Sequence, residues 1–166
     1  MILDALLYIK SELQQSLNIS KEGLVLGSVP RLAGKEKNLG VHLTFVNLKW
    51  PPIPNEPIVS GHAAMIGAQR QAAVLNFHLL LSFQFEDYED SLAHLSKTIE
   101  LFKQKPVHGS SDASNGGRFP SVIQAITFAP LELSFEDLKN IWSFMGSPYV
   151  PSVVYDVSVI ANPAKV

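Results

Sequence analysis

The sequence predicts a single α+β domain built on a largely antiparallel or mixed sheet, with helices packed on one face. Every odd position over 73–85 is apolar, and polar residues lie at the even positions 76, 78, 82 and 84, which is typical of a strand with one side on a core. Apolar residues recur at helical spacing over 2–17 and 88–104. Most strands follow one another through loops or short helices, which favours antiparallel pairing. A length of 166 residues, without an internal repeat, fits one domain spanning 1–166.

The N-terminal part begins with a helix. Its apolar residues fall on one face over 2–17, and Leu3 and Leu7 widen that face at the start. We expect these two leucines to contribute to an interface between subunits. Three segments follow the helix: a short strand at 23–28, a polar loop at 29–38 and a second strand at 39–49.

A tryptophan and four prolines end the second strand. Proline has no N–H to donate to a sheet, so the chain must leave the sheet here and run extended across a surface. Turn chemistry alone could account for this composition, but a stiff segment with an aromatic side chain also loses little entropy on binding. We favour a contact role, and the candidates are Trp50, Pro51, Pro52 and Ile53. Residues 58–70 are predicted to be a loop.

The clearest strand, at 73–85, precedes a helix at 88–104. The odd positions of the strand are all apolar. In the helix we expect a single buried stripe formed by Tyr88, Leu92, Leu95, Ile99 and Phe102.

Two further strands and a third helix are predicted in the C-terminal part. A loop at 105–120, rich in glycine and serine over 109–117, separates the second helix from a strand at 121–129. Ser134 opens the third helix with Asp137 as its capping-box partner, and Gly146 ends it. The apolar face of this helix is formed by Leu138, Ile141, Trp142 and Met145. The last strand is predicted at 152–161.

The turn between the third helix and the last strand contains an aromatic residue framed by prolines. Tyr149 lies between Pro148 and Pro151. Such a turn is structural in the first place, and its stiffness also suits a contact surface. Tyr149 and Pro151 are therefore further candidates for a contact surface.

Composition excludes several classes of function. The net charge is −2, from 13 basic and 15 acidic residues, and no basic stripe indicates nucleic-acid binding. There is no cysteine, hence no disulfide or thiolate site. We expect no signal peptide and no membrane insertion, since the longest apolar stretch is interrupted by polar residues. Charged residues make up 17%, against about 25% in average domains; either a large core or coverage by other subunits explains this.

No catalytic, cofactor or metal site is predicted, and we do not expect an enzyme. The histidines lack zinc-ligand spacing, and neither a nucleophile elbow nor a phosphate-binding loop is present. Acidic residues at 86–90 fall at a helix start, where the helix dipole favours them. His42 and His78 are expected on the polar faces of their strands. The five histidines are His42, His62, His78, His94 and His108.

Residues 131–155 (LELSFEDLKNIWSFMGSPYVPSVVY) resemble the C-terminal signature of the tail-terminator family of extracellular contractile injection systems, of the antifeeding-prophage type. The specific part runs from Trp-Ser-Phe-Met-Gly to Pro-Ser-Val-Val-Tyr. Residues 75–104 are similar to the long strand and following helix of that family, and 2–17 fits its first helix. The likeness thus covers nearly the whole chain.

This resemblance implies a structural cap: a ring, with a hexamer as the expected size, on the distal end of the inner tube. It would stop tube growth and anchor the last sheath layer, with other copies of itself, the tube protein and the sheath protein as partners. Assembly in the bacterial cytoplasm is expected. Some relatives carry a further region, whereas this chain ends at Val166. Both a main terminator and a second, minimal cap component therefore stay open.

Three alternatives compete with the terminator interpretation. Another structural adaptor of the same particle would share its composition and differ only in location. An enzyme with an unrecognised site would require convergent polar groups in a pocket. A peptide-binding module using a sheet edge would be a stable monomer. Within the terminator interpretation, the loop at 105–120 could order on contact with tube or sheath, and Trp50→Ala is expected to weaken ring assembly.

Overall fold

The computed structural model describes residues 1–28, 39–49, 73–109 and 119–165. The predicted loops at 29–38 and 58–70, the proline-rich segment and most of the glycine- and serine-rich segment lie outside these residues. The described residues form three helices and six strands, in the order α1 (Ile2–Leu17), β1 (Leu24–Leu26), β2 (Gly40–Lys49), β3 (Val74–Gln84), α2 (Tyr88–Gln104), β4 (Val107–Gly109), β5 (Ile123–Pro130), α3 (Phe135–Met145) and β6 (Ser152–Ala161).

The strands form one mixed sheet, which confirms the predicted fold class. Their order is β1-β2-β3-β6-β5-β4, with the long strand β3 between β2 and β6. β1 runs parallel to β2, and the other neighbours are antiparallel. The two ends of the described sheet, β1 and β4, have three residues each. Short edge strands limit pairing with other chains along the sheet.

The parallel pairing of β1 with β2 depends on a glycine. Gly40 has φ of +131°, a conformation that side chains rarely allow, and a Cβ there would lie 2.1 Å from the carbonyl oxygen of Gly23. That same carbonyl accepts a hydrogen bond from the Val41 N–H at 2.8 Å. Only glycine lets the start of β2 approach the start of β1 this closely.

The larger core lies between one face of the sheet and helices α1 and α2. The odd positions of β3 point into it, as predicted from the alternation, and Phe77, Leu79, Leu81 and Phe83 have no exposed surface. The predicted inner residues of α1 from Ala5 to Leu17 are also buried there. This face carries most of the buried apolar area.

The third helix lies on the opposite face, so the expectation of helices on one face was wrong. Leu80 of β3 and Val154 of β6 are register partners that point away from the larger core, and they pack with Trp142 of α3. Leu80 breaks the polar pattern of the even positions in β3. An apolar residue on that side requires a cover, which α3 provides.

Helix α2 has the predicted bounds but buries a different stripe. Phe102 is buried and Leu95 is half-buried, as expected, whereas Tyr88, Leu92 and Ile99 are exposed. The small residues Ser91 and Thr98 take the inner positions. Their hydroxyls donate to the carbonyls one turn earlier, at Asp87 and His94, so their burial leaves no unpaired donor.

Strand β4 was not predicted, because its residues fall in the expected loop at 105–120. Three residues are too few to show an alternation. Val107, His108 and Gly109 pair with the middle of β5, and this pairing is set by the neighbouring strand rather than by a local pattern.

Candidate assembly surface

A polar cluster lies inside the larger core, where α1 meets β4. The Tyr8 hydroxyl is 3.1 Å from Nδ1 of His108, and a carboxylate oxygen of Glu12 is 3.8 Å from the same nitrogen. His108 is buried, and the rings of Phe102 and Phe128 approach it edge-on. The cluster thus ties the first helix to the edge strand. Tyr8 and His108 are nearly completely buried, and the Glu12 side chain is 12% exposed.

The other described histidines, His42, His78 and His94, do not form a site with it. His42 is buried in β2 opposite Ser82, although we expected an exposed polar face there, and His78 is half-buried in β3. His94 stacks on Phe85 with ring centroids 4.3 Å apart. Within the described ranges, no three side chains of histidine, aspartate or glutamate come together as a ligand set. His62 lies outside those ranges.

Shifted pKa values occur at separate positions and have structural causes. The hydrogen bond from the N-terminal ammonium lowers the pKa of Asp4. The hydrogen bond from the Ser134 hydroxyl lowers the pKa of Asp137 at the start of α3. Burial raises the pKa of Tyr155 to about 12. These groups do not converge on one cavity, as the groups of an active site would.

Leu3 and Leu7 lie on the outer side of α1. Their exposed fractions are 60% and 51%, while Leu6 between them is buried. The sequence pattern placed both at the margin of the apolar face, and the structure shows that the described residues leave them uncovered. They are accessible for contact with another molecule.

The proline-framed turn after α3 has one exposed and one buried candidate. Tyr149 is 55% exposed and meets the buried Trp142 edge to face, with ring centroids 5.6 Å apart. Pro151 is buried, and its carbonyl accepts a hydrogen bond from the Phe83 N–H at 2.9 Å. Pro151 therefore anchors the turn to the sheet, and Tyr149 is the residue presented at the surface. Trp50, Pro51, Pro52 and Ile53 lie outside the described residues.

Two phenylalanines of α3 were not singled out from the sequence. Phe135, at the first position of the helix, is 93% exposed, and Phe144, near its end, is 84% exposed. Phe144 falls off the apolar stripe of the helix, which was an available signal. Phe135 has the spacing of the stripe, yet the described residues leave it uncovered.

An apolar groove opens on the other side of the sheet, between α2 and the ends of β5 and β6. Its volume is about 350 Å³. Buried aromatic rings form its floor, and prolines, one isoleucine and one lysine form its rim. The lining residues are Ile99, Phe102, Lys103, Pro106, Phe128, Pro130 and Tyr155.

A compact α+β domain with exposed apolar side chains and no convergent polar centre in its described part is suited to assembly. Residues 6–165 match the model of the family described as the Pvc16 N-terminal domain, and the chain belongs to that family. This membership confirms the family resemblance of the sequence. No helix among the described residues is long and apolar enough to cross a membrane.

The fold is similar to that of a solved structure described as the PVC sheath/tube terminator, in its extended state, of an extracellular contractile injection system. The TM-score is 0.59 at 14% sequence identity, and the match covers 97% of this chain and 55% of that one. The chain thus spans about half the length of that terminator. Among curated proteins, no sequence matches this chain significantly.

Proposed function

We propose that this protein is a structural terminator, or cap, of a phage-tail-like contractile injection system. It forms a ring on the distal end of the inner tube, stops tube growth and anchors the last sheath layer. The proposal is carried by the match of residues 6–165 to the Pvc16 N-terminal domain family, together with the similarity of the fold to part of a solved sheath/tube terminator. Other copies of the chain, the tube protein and the sheath protein are its partners.

The surface of the domain supports a role in assembly. Exposed apolar side chains stand on all three helices, among them Leu3, Leu7, Ile99 and Phe135. Apolar side chains on a monomer surface are common one by one, but several large ones together favour contacts with other subunits. A ring on a tube end needs one repeated contact between identical copies and one surface toward the tube. The proposed role requires no chemistry.

The test is electron microscopy of particles from cells that lack this gene. We expect tubes of uncontrolled length, or particles with bare or frayed distal ends, because nothing stops the tube or holds the last sheath layer. Expression of the unchanged gene from a plasmid restores normal ends. A variant of Leu3 and Leu7, both changed to serine, is expected to restore them only in part.

Particles of normal length and normal ends in the deleted strain would contradict this function. A label on the protein at the baseplate end of otherwise defective particles would instead identify an adaptor. Purified protein that stays monomeric and binds extended peptides would favour a peptide-binding module. Each outcome excludes the terminator role by a different observation.

A further inference from the structure

We propose that Phe135 of one copy inserts into the apolar groove beside α2 of the next copy, so that this contact joins neighbouring subunits head to tail. This inference rests on the proposed ring. It names the surfaces that meet, which neither the family nor the similar fold specifies.

The groove is preformed and sized for one large side chain. Phe102, Phe128 and Tyr155 are nearly completely buried and hold each other in place: Phe102 stacks on Phe128 at 4.2 Å between ring centroids and meets Tyr155 at 5.1 Å. The volume of the groove, about 350 Å³, is at the lower end of the range for ligand pockets, about 300–1,000 Å³. A rigid aromatic floor binds an apolar group without reorganising.

Phe135 is a side chain on a rigid support. It is 93% exposed, yet it follows a complete capping box in which the Ser134 hydroxyl accepts from the Asp137 N–H at 3.1 Å and Asp137 accepts from the Ser134 N–H at 3.2 Å. The backbone beneath Phe135 is therefore ordered before contact. Little further entropy is lost when its ring is buried, which is typical of an aromatic anchor in an interface.

Charge selects Phe135 over the other exposed phenylalanine. The groove is lined by one charged residue, Lys103, which is exposed at the end of α2. Phe135 is followed by two exposed acids, Glu136 and Asp137, with one exposed cation, Lys139, a turn further on, so its surroundings carry a net negative charge. Phe144 lies between the uncharged residues Ser143 and Met145. If the phenyl ring of Phe135 enters the groove beside Lys103, the carboxylate of Glu136 or Asp137 comes to the rim of the groove. Opposite charges at the rim of an interface guide association and fix the register of the two partners.

The topology makes this a contact between copies. Helix α3 packs on the face of the sheet that carries Leu80, and the groove opens on the face covered by α2. Phe135 and the groove are different surfaces on opposite faces of the sheet, so one copy can offer them to two different neighbours, as the proposed ring requires. Such heterologous contacts repeat head to tail and close into a ring when the rotation between copies permits.

The first experiment measures self-association of the purified chain by sedimentation at increasing concentration, with Phe135→Ala and Phe144→Ala as a matched pair. Both variants remove an exposed phenylalanine ring from the same helix. We expect F135A to raise the dissociation constant about 30-fold and F144A to change it by less than about twofold. Equal thermal unfolding of both variants and the unchanged protein is the control for folding.

The second experiment uses the absence of cysteine from the sequence. A chain with Glu136→Cys is mixed with a size-tagged chain carrying Lys103→Cys, and disulfide formation is followed under mild oxidation. We expect the mixed disulfide to exceed either disulfide between like chains by about tenfold, because only the mixed pair is brought together. A chain with Ser143→Cys, beside Phe144, replaces Glu136→Cys as the control.

Charge reversal completes the test. Lys103→Glu alone and Glu136→Lys alone are each expected to weaken association about tenfold, and the two together to restore it. A monomer at all concentrations, equal effects of F135A and F144A, or cross-links that favour like chains would overturn the proposed contact. The deletion phenotype tests the terminator role separately, so a ring that forms through other surfaces would refute only this inference.

Discussion

On one face of the sheet, helices α1 and α2 cover a continuous core that includes Phe77, Leu79 and Leu81, all without exposed surface. On the other face, helix α3 covers a small cluster whose buried apolar members are Leu80, Trp142 and Val154. The outer residues of this second layer, including Phe135 and Tyr149, are open to solvent.

The larger core and the smaller cluster contribute differently to the protein. The larger core supplies most of the apolar area removed from water and therefore most of the stability of the fold. The smaller cluster buries less but holds α3 and its following turn at a defined position, with aromatic side chains presented outward. The larger core thus supplies most of the stability, whereas candidate contact surfaces lie on both sides of the sheet. Leu3, Leu7 and the apolar groove are on the side of α1 and α2, and Phe135 and Tyr149 are on the side of α3.

The largest effects on stability are expected when neighbouring leucines of β3, one on each face of the sheet, are truncated. Leu79 and Leu80 are both fully buried, but they point to opposite faces. We expect Leu79→Ala to lower the free energy of unfolding by about 4 kcal/mol, and Leu80→Ala by about 2–3 kcal/mol, because the half-buried neighbours of Leu80 can collapse into the space. Urea unfolding measures both, and equal costs would contradict the distinction.

A second prediction concerns Trp142, the largest residue of the smaller cluster. Trp142→Ala is expected to cost about 3 kcal/mol in unfolding free energy, since it removes the contacts to Leu80 and Tyr149. Trp142→Phe is expected to cost less than about 1.5 kcal/mol. The buried indole N–H has no hydrogen-bond partner within the described part of the chain, so its removal leaves no acceptor without a donor. A phenylalanine variant as unstable as the alanine variant would contradict this.

A third prediction addresses the start of α3. Ser134→Ala removes the cap and is expected to cost about 1 kcal/mol in unfolding free energy. The Ser134 hydrogen bonds lower the pKa of Asp137 below its ordinary value of 3.8. Their stabilisation is therefore present above pH 3.8 and is lost as the pH falls through the lower, folded-state pKa. Unfolding at several pH values should show the difference between variant and unchanged protein shrinking in acid; a constant difference would argue against this coupling.

The smallest effect on stability is expected at the outer side of α1. Leu3→Ser and Leu7→Ser should each change the free energy of unfolding by less than about 0.5 kcal/mol, because both leucines are already exposed. Leu6→Ser, at the buried position between them, should cost about 3 kcal/mol. Thermal unfolding measures all three. If the variant with both Leu3→Ser and Leu7→Ser fully restores normal particle ends in the deleted strain, Leu3 and Leu7 have no part in assembly.

Much of the fold was predictable because its signals are local. The bounds of α1 and α2 agree with the prediction residue for residue, and β6 begins and ends as expected. Ser134 and Asp137 form the predicted capping box, and Gly146 ends α3 in the left-handed conformation. Each of these features depends on residues within one or two turns of each other, so a pattern in the sequence is sufficient to reveal it.

The candidate surface was predicted less completely. Leu3, Leu7 and Tyr149 were named from the sequence and are exposed, whereas Pro151 is buried against β3. Phe135 and the groove were missed, because exposure depends on which residues remain uncovered after the elements pack. A groove formed by α2, β5 and β6 has no continuous segment to which a pattern could point.

The sequence by itself therefore determined where α1, α2 and β6 begin and end, which residues cap α3 and which family the chain resembles. Tertiary structure decided the order of the strands, the parallel start, the side of the sheet on which α3 packs and the face that α2 buries. Burial of Ser91 and Thr98 in place of Leu92 and Ile99 shows why. A helix turns toward the sheet the side that fits the space available, and small residues with paired hydroxyls can occupy it while larger apolar residues stay outside.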